Sequence, residues 1–357
     1  MKINFLTSKF SGATGGVIYD EVLYNKLQEV FGCEVNLIQD KDFGNENQEE
    51  TINHKRFSKI YRNHAKELTN CEYLFVNSRL YTRFTQFPWR EINDNCKIVL
   101  IHHHFNYMTQ IRISRYLIHK FLELSFLHRA NRIVTPNQYT IDILKKMNLG
   151  EKSELLEAYI SNTLRVPAEK RKNQLLFMGT VEPRKGVDYG IDAFYLFQKK
   201  FPEYTYVIAG TFDDKNQYCR SLVAKVHSYH IEEKVVFLGR VDDTLKTKLF
   251  RESKLFLFPS QNEGYGLVLV EAMSYGMPVI AFDNTAMPYT VNNTNGAIVE
   301  NRNTHKMAEA IEKILTNDGK YRRTSDGAKR TVLALPSEET IDQEYIAFIQ
   351  RLRECVL

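Results

Sequence analysis

Short apolar runs alternate with helix-like patterns from one end of the chain to the other, and that alternation leaves few folds open. In the first half, the runs Ile3–Leu6, Glu34–Ile38, Tyr73–Val76, Ile98–Ile101 and Ile133–Thr135 predict strands, with helical patterns such as Val17–Val30 and Ile111–Leu127 between them. In the second half, strands are predicted at Leu175–Met178, Tyr206–Ala209, Val235–Leu238, Leu255–Phe258 and Val279–Phe282, with helices such as Val187–Phe201 and Leu267–Tyr275. The runs are nearly continuous in apolar residues, as strands covered on both faces are. Strands joined through helices need crossover connections, so parallel sheets carrying helices are the expected α/β architecture.

A chain of 357 residues exceeds the usual size of one core, which predicts two domains. The stretch Ala158–Asn173, AYISNTLRVPAEKRKN, is polar, basic and broken by Pro167, and reads as a linker. It separates a first Rossmann-like domain, residues 1–160, from a second, residues 170–336. The acidic, Asn-rich segment Gln39–Asn53 reads as a surface loop. Hydrophobic residues make up 43% and charged ones 25%, the balance of a soluble globular protein. The net charge of +5 does not demand nucleic acid, but suits anionic nucleotides or an anionic membrane surface. The 5 cysteines are widely spaced without C-x-x-C, which suggests neither a disulfide framework nor a zinc site. The start, MKINFLTSKF, is too short in its apolar part for a signal peptide, and no run approaches a membrane-spanning length. A cytoplasmic location follows as an expectation, with any membrane contact peripheral and at the inner face.

The segment Pro259–Pro278, PSQNEGYGLVLVEAMSYGMP, carries the most chemistry. Glu263 opens it, a turn with Gly264 and Gly266 follows, and Glu271 stands inside the apolar helix that begins near Leu267. A strand feeding a glycine-bearing turn that opens a helix is an anion-binding device, because the first N–H groups lack intrahelical partners and the helix dipole favours negative charge. Carboxylates repel phosphate but accept hydrogen bonds from sugar hydroxyls.

The run E-G-Y-G-L-V-L-V-E-A-M resembles the E-x7-E motif of retaining glycosyltransferases of family 4, and the flanking P-S and G-M-P-V-I-A match as well. The resemblance implies the GT-B fold, two Rossmann-like domains facing each other across a cleft, with the last helix, 337–357, crossing back onto the first domain. It assigns Glu263 to the donor sugar hydroxyls, Glu271 to the nucleotide ribose, and the N–H groups of Gly264, Tyr265, Gly266 and Leu267 to the diphosphate. In L-L-F-M-G-T-V-E-P-R-K-G, Arg184 and Lys185 stand beside a helix start, where two cations can neutralise a leaving diphosphate. The family's K-G matches Lys185–Gly186, but its G-R meets Gly179–Thr180; either Arg184 compensates or one phosphate contact is missing.

The fourth strand of the first domain runs into His102, His103 and His104, where the family places a functional histidine near the donor sugar. His103 is favoured and His102 second; neighbours on an extended strand point to opposite faces, which argues against three histidines converging on one metal. In the first loop, Gly12, Gly15 and Gly16 depart from G-x-G-x-x-G, while the family's G-G falls on Gly15 and Gly16. Arg240 and Val241 follow the Val235–Leu238 strand, where the family's loop passes the nucleotide base. Asp40-Lys41-Asp42 is formally a D-x-D, but its acidic surface setting reads as a solvated charge run, so no metal is expected. From Ile111 to Arg132, five cations face one acid, Glu123, among many apolar residues; an ordinary crossover helix and a helix lying on anionic lipid both fit. No nucleic-acid module accompanies them.

The expectation is a metal-independent, retaining glycosyltransferase that needs no cofactor beyond its nucleotide-sugar donor. The donor is a UDP- or GDP-sugar, UDP favoured, and the acceptor a glycan, lipid-linked or protein molecule. The rival readings are a non-catalytic GT-B subunit that chaperones a transferase, and a nucleotide-sugar epimerase.

Overall fold

The computed structural model describes residues 2–8, 10, 15–31, 34–43, 54–92, 95–110 and 112–354. Gly12, Cys33, Ile111, Cys355 and residues 44–53 of the expected surface loop lie outside the described residues. The chain divides into two compact units, Met1–Tyr159 with Glu338–Leu357, and Ile160–Ser337.

The first unit holds six strands: β1 (Lys2–Thr7), β2 (Glu34–Gln39), β3 (Tyr73–Asn77), β4 (Lys97–Ile101), β5 (Arg132–Thr135) and β6 (Ser153–Leu155). They form one parallel sheet in the order β2-β1-β3-β4-β5-β6. The five runs expected from the sequence are β1 to β5, with every residue of β3 buried. Leu74, Val76 and Leu100 from the sheet share a core with Tyr61, Phe84 and Phe126 from the helices and turns beside it. The helix Glu338–Glu354 belongs to this unit: Tyr345 Oη donates to Glu157 O at 3.1 Å, and Lys26 pairs with Asp342 at 2.8 Å.

The second unit holds β7 (Lys172–Met178), β8 (Thr205–Ala209), β9 (Val235–Gly239), β10 (Ser253–Phe258), β11 (Val279–Phe282) and β12 (Gly296–Val299). These are parallel too, in the order β12-β11-β10-β7-β8-β9. β9 is an edge strand, and Val236 and Leu238 are exposed on it. Most helices here start on side-chain caps: Asp242 accepts from Leu245 N at 2.7 Å, and Asn303 and Asn317 cap their helices in the same way. Three start otherwise, Met287–Thr290 on Ala286 and the other two on glycines. Val187–Gln198 and Leu267–Ser274 open on Gly186 and Gly266, both left-handed with φ 63 and 81°, and neither has a side-chain cap.

The expected linker departs from its sequence reading. Arg165 N donates to Ser274 O at 2.9 Å, Ala168 N to Arg251 O at 3.0 Å, and Arg171 Nη1 to Ser253 O at 2.8 Å. A basic segment is held along the second unit because its cation satisfies a carbonyl where the Asp243–Glu252 helix ends. Two short strands, β6 and β12, were not expected from the sequence. β6 has three half-buried residues, and β12 begins at a glycine whose Cβ would stand 1.8 Å from Val279 O.

Candidate functional site

In an open parallel sheet, ligands bind outside the carboxyl ends of the strands, where the strand order reverses. In the second unit that point lies between β7 and β10, which are neighbours although far apart in the chain. The loop after β7 carries Gly179 to Gly186, and the loop after β10 carries Pro259 to Gly266. Sheet topology thus brings both sequence motifs together.

The two loops are locked to each other. Gln261 N donates to Arg184 O at 2.8 Å, and Arg184 Nη1 donates to Asn262 O at 2.7 Å. Gly186 is required here: besides its φ of 63°, a Cβ would stand 2.1 Å from Pro259 O. Asn284 Nδ2 ties the second loop to its neighbour by donating to Ser260 O at 2.8 Å. Glu263 N–H donates to Thr285 Oγ1 at 3.0 Å, and Thr285 itself sits at a positive φ of 42°.

Glu263 is buried at the centre of this arrangement. Its Oε1 receives the Lys185 ammonium, Arg184 Nη1 at 3.2 Å and Ser260 Oγ at 2.7 Å. Burial alone would raise the Glu263 carboxyl, but the two cations and the two side-chain hydrogen bonds outweigh it and hold the group below its usual range. Arg184 reaches Glu182 at 2.7 Å on its more exposed side. The Lys185 ammonium also lies over the Phe258 ring, 5.2 Å from its centre. Thr180, in the position where the resembled family carries arginine, is exposed. Gly264 and Tyr265 are half-buried in the turn, and Gly266 and Leu267 start the uncapped helix.

Glu271 lies on that helix, half-buried, and pairs with Lys246 at 2.6 Å. Lys246 stands on the Asp243–Glu252 helix, directly after the loop with exposed Arg240 and half-buried Val241. The sequence reading missed Lys246, since one cation among several on a polar helix carries no signal.

The first unit builds a different cluster where its own strand order reverses, between β1 and β3. Asp20, on the Gly15–Phe31 helix, is buried and accepts from His103 Nε2 at 2.9 Å, Asn77 Nδ2 at 2.7 Å and Thr7 Oγ1 at 3.3 Å. Asn137 Nδ2 donates to the His103 carbonyl at 3.1 Å. A Cβ on Gly16 would stand 3.6 Å from the His103 ring, so the glycine turn and the histidine are adjacent. His102 points elsewhere: it is fully buried, with Nδ1 2.7 Å from Ser78 Oγ and its ring edge-on to Phe105. Burial, with His103 next to it, pushes His102 down to about 3, so it is a neutral ring at neutral pH. Among the described residues, no three His, Cys, Asp or Glu side chains stand as a metal-holding group. Asp42 of the D-x-D, in the turn after β2, accepts from Gln39 N–H at 2.7 Å.

Two parallel six-stranded sheets, each with its polar cluster at the carboxyl edge, define the class, and solved structures share it. A sucrose-phosphate synthase from Thermosynechococcus elongatus superposes with a TM-score of 0.77 over 99% of both chains at 18% identity. Anabaena HepE in complex with UDP and glucose gives 0.73, over 98% of this chain and 100% of that one, at 16% identity. The chain has the GT-B fold. Within it, residues 162–331 match the family Glycosyl transferases group 1. An uncharacterized glycosyltransferase of Haemophilus influenzae is 26% identical over 164 residues, which is 45% of each protein. The matches to these curated relatives span less than half of the relatives' length.

Proposed function

We propose that the chain is a retaining glycosyltransferase whose second unit binds a nucleotide-sugar donor, with UDP as the favoured nucleotide. The observation that carries this is the meeting of Lys185 and Arg184 on Glu263, beside a helix start with no side-chain cap. A diphosphate binding here draws the two cations from the carboxylate and leaves Glu263 to accept from sugar hydroxyls. Glu271 accepts from the ribose, and Arg240 and Val241 border the base. Cleavage of the sugar–phosphate bond builds negative charge on the leaving diphosphate, which Lys185, Arg184 and the N–H groups at Gly266–Leu267 stabilise. The chain's own cations supply this neutralisation, so the reading calls for no divalent metal and no further cofactor.

The first unit serves the acceptor, a glycan, lipid-linked or protein molecule, with Gly15, Gly16 and His103 as its reactive edge. His103 orients or eases charge rather than acting as an obligatory base. The family match at residues 162–331 and the UDP bound by Anabaena HepE support the donor class.

The test is a thermal shift of the full chain with a panel of nucleotides and nucleotide sugars. A ligand at about 100 times its dissociation constant adds about 2.7 kcal/mol to stability. A shift with one UDP- or GDP-sugar, lost in Lys185→Ala and Glu271→Ala, supports the reading. Binding without turnover favours a non-catalytic subunit, and no shift with any nucleotide sinks the donor site.

A further inference from the structure

A crossover helix on a sheet should be apolar inward and polar outward. The helix Ile113–Arg129 is apolar on both sides. Inward, Phe126 and Leu127 are buried in the first unit's core, with Tyr116 and Leu122 packed against it. Glu123 also faces inward, buried, and accepts from Asn106 N at 3.0 Å, Asn106 Nδ2 at 2.8 Å and Tyr107 N at 2.9 Å. Outward stand Ile113, Leu117, Ile118 and Phe121, exposed by 78, 59, 58 and 72%. Spaced at i, i+4, i+5 and i+8, they fall on one side of the helix.

Cations rim this face. Arg112, Arg115 and Arg129 are exposed and Lys120 is half-buried, whereas the helix's one acid, Glu123, is on the opposite side and covered. Two of the cations sit against rings: Lys120 lies 5.6 Å from the Tyr116 centroid, and Arg129 lies 5.6 Å from that of Trp89. Such contacts hold the charge at the edge of the apolar stripe.

We propose that the outward face of Ile113–Arg129 docks onto an anionic lipid bilayer, the four apolar side chains entering the headgroup–acyl boundary and the cations meeting the lipid headgroups. Two physical arguments select a bilayer over a protein partner. A stable protein pair takes roughly 20–30 residues a side, whereas the apolar stripe here is four residues of one helix. A fluid bilayer sets no such minimum, because it conforms to a protruding ridge. The exposed charges of this helix and its N-cap are also all of one sign, which matches a continuous anionic surface. The proposal stands independently of the donor-site reading.

The test sediments the full chain with sucrose-loaded vesicles, one set of phosphatidylcholine alone and one containing phosphatidylglycerol as well. Partition should be at least ~10-fold stronger on the anionic set and weaken with salt, since ions screen the attraction between the cations and anionic headgroups. A Leu117→Ser/Phe121→Ser variant should lose roughly 10-fold or more of that partition by removing buried apolar area, while its melting temperature stays at the wild-type value. Three results overturn the proposal: no partition, equal partition on both vesicle sets, or partition that the double variant leaves unchanged. Sedimentation velocity adds a fourth. A dimer that dissolves in the double variant assigns the face to a second copy of the chain.

Discussion

In the second unit, two long cationic side chains, Lys185 and Arg184, meet on one oxygen of Glu263; in the first, one short carboxylate, Asp20, gathers a histidine, an amide and a hydroxyl. Both clusters sit at the carboxyl edge of a parallel sheet where the strand order reverses. They differ in what a ligand can do to them. Lysine and arginine on flexible stems can exchange one anion for another without exposing a bare charge, so the second cluster is open to re-partnering. Asp20, Asn77, Thr7 and His103 are all buried on short side chains, so the first cluster holds a ring in place. Charge that moves and a scaffold that does not are the two requirements of group transfer.

The comparison breaks most visibly at Glu263. Replacing a carboxylate that holds two cations strands them at a largely buried site, and losing one partner of a buried pair costs about 3–5 kcal/mol. Glu263→Gln should therefore lower stability by that order in urea denaturation. Because the folded carboxyl is held below its usual 4.5, its stabilisation is present above that pH and is lost as pH falls through the folded value. Glu263→Gln should remove that acid-side slope. A variant as stable as wild type would mean that the cations already rest in solvent.

The second effect belongs to the first unit and comes from two opposed titrations. His102 falls from 6.5 to about 3 through burial, so the unfolded chain binds the extra proton and stability drops as pH falls below 6.5. Burial likewise raises Glu123 from 4.5 to about 7, against the pull of its three N–H donors; here the folded chain binds the extra proton, and stability rises as pH falls from 7 toward 4.5. Between 4.5 and 6.5 the two slopes cancel in the wild type. Each is worth up to about 1.4 kcal/mol per pH unit. His102→Gln should become more stable on acidification across that window and Glu123→Gln less stable. Parallel pH profiles for the two variants would refute the opposition.

Asp20→Asn should cost less, about 1–2 kcal/mol, because the amide keeps an acceptor for one neighbour while losing the charge that strengthens the rest. The readout that separates positioning from packing is the His103 ring. Its ring-proton resonances should broaden at fixed pH in Asp20→Asn, because the charged acceptor that holds the ring at 2.9 Å is gone. Unchanged ring resonances would demote Asp20 to a core filler.

These residues also mark what a sequence can and cannot say. The sheets were legible because fully buried parallel strands leave unbroken apolar runs, as in Tyr73–Asn77. Two of the edge strands were not: β6 is half-buried and three residues long, and β12 opens on a glycine. Glu263 was singled out by the E-x7-E run and Lys185 by the K-G at a helix start, and only the order β10-β7 explains why residues so far apart in sequence touch. Asp20 had no such marker. It stands beside Glu21 on an ordinary helical pattern, and its burial follows from the approach of β3 and β4, which local composition does not encode.

Lys246 gives the smallest effect and the finest test of the contrast. Its pair with Glu271 is half-exposed on both sides, so in stability Lys246→Ala should cost under about 1 kcal/mol. Ligand affinity is where it should tell. If the second unit is a site whose cations orient acceptors and then release them, Lys246 fixes the Glu271 carboxylate in the rotamer a ribose would meet. Losing it should then weaken nucleotide binding by about 3- to 10-fold, the worth of one charge-assisted hydrogen bond. Tighter binding in Lys246→Ala, measured by calorimetry with UDP and GDP, would mean that the lysine instead occupies the carboxylate the ribose needs. Glu271 would then be a closed pair like Asp20 and His103, and the line between a movable and a fixed cluster would run through the second unit rather than between the two.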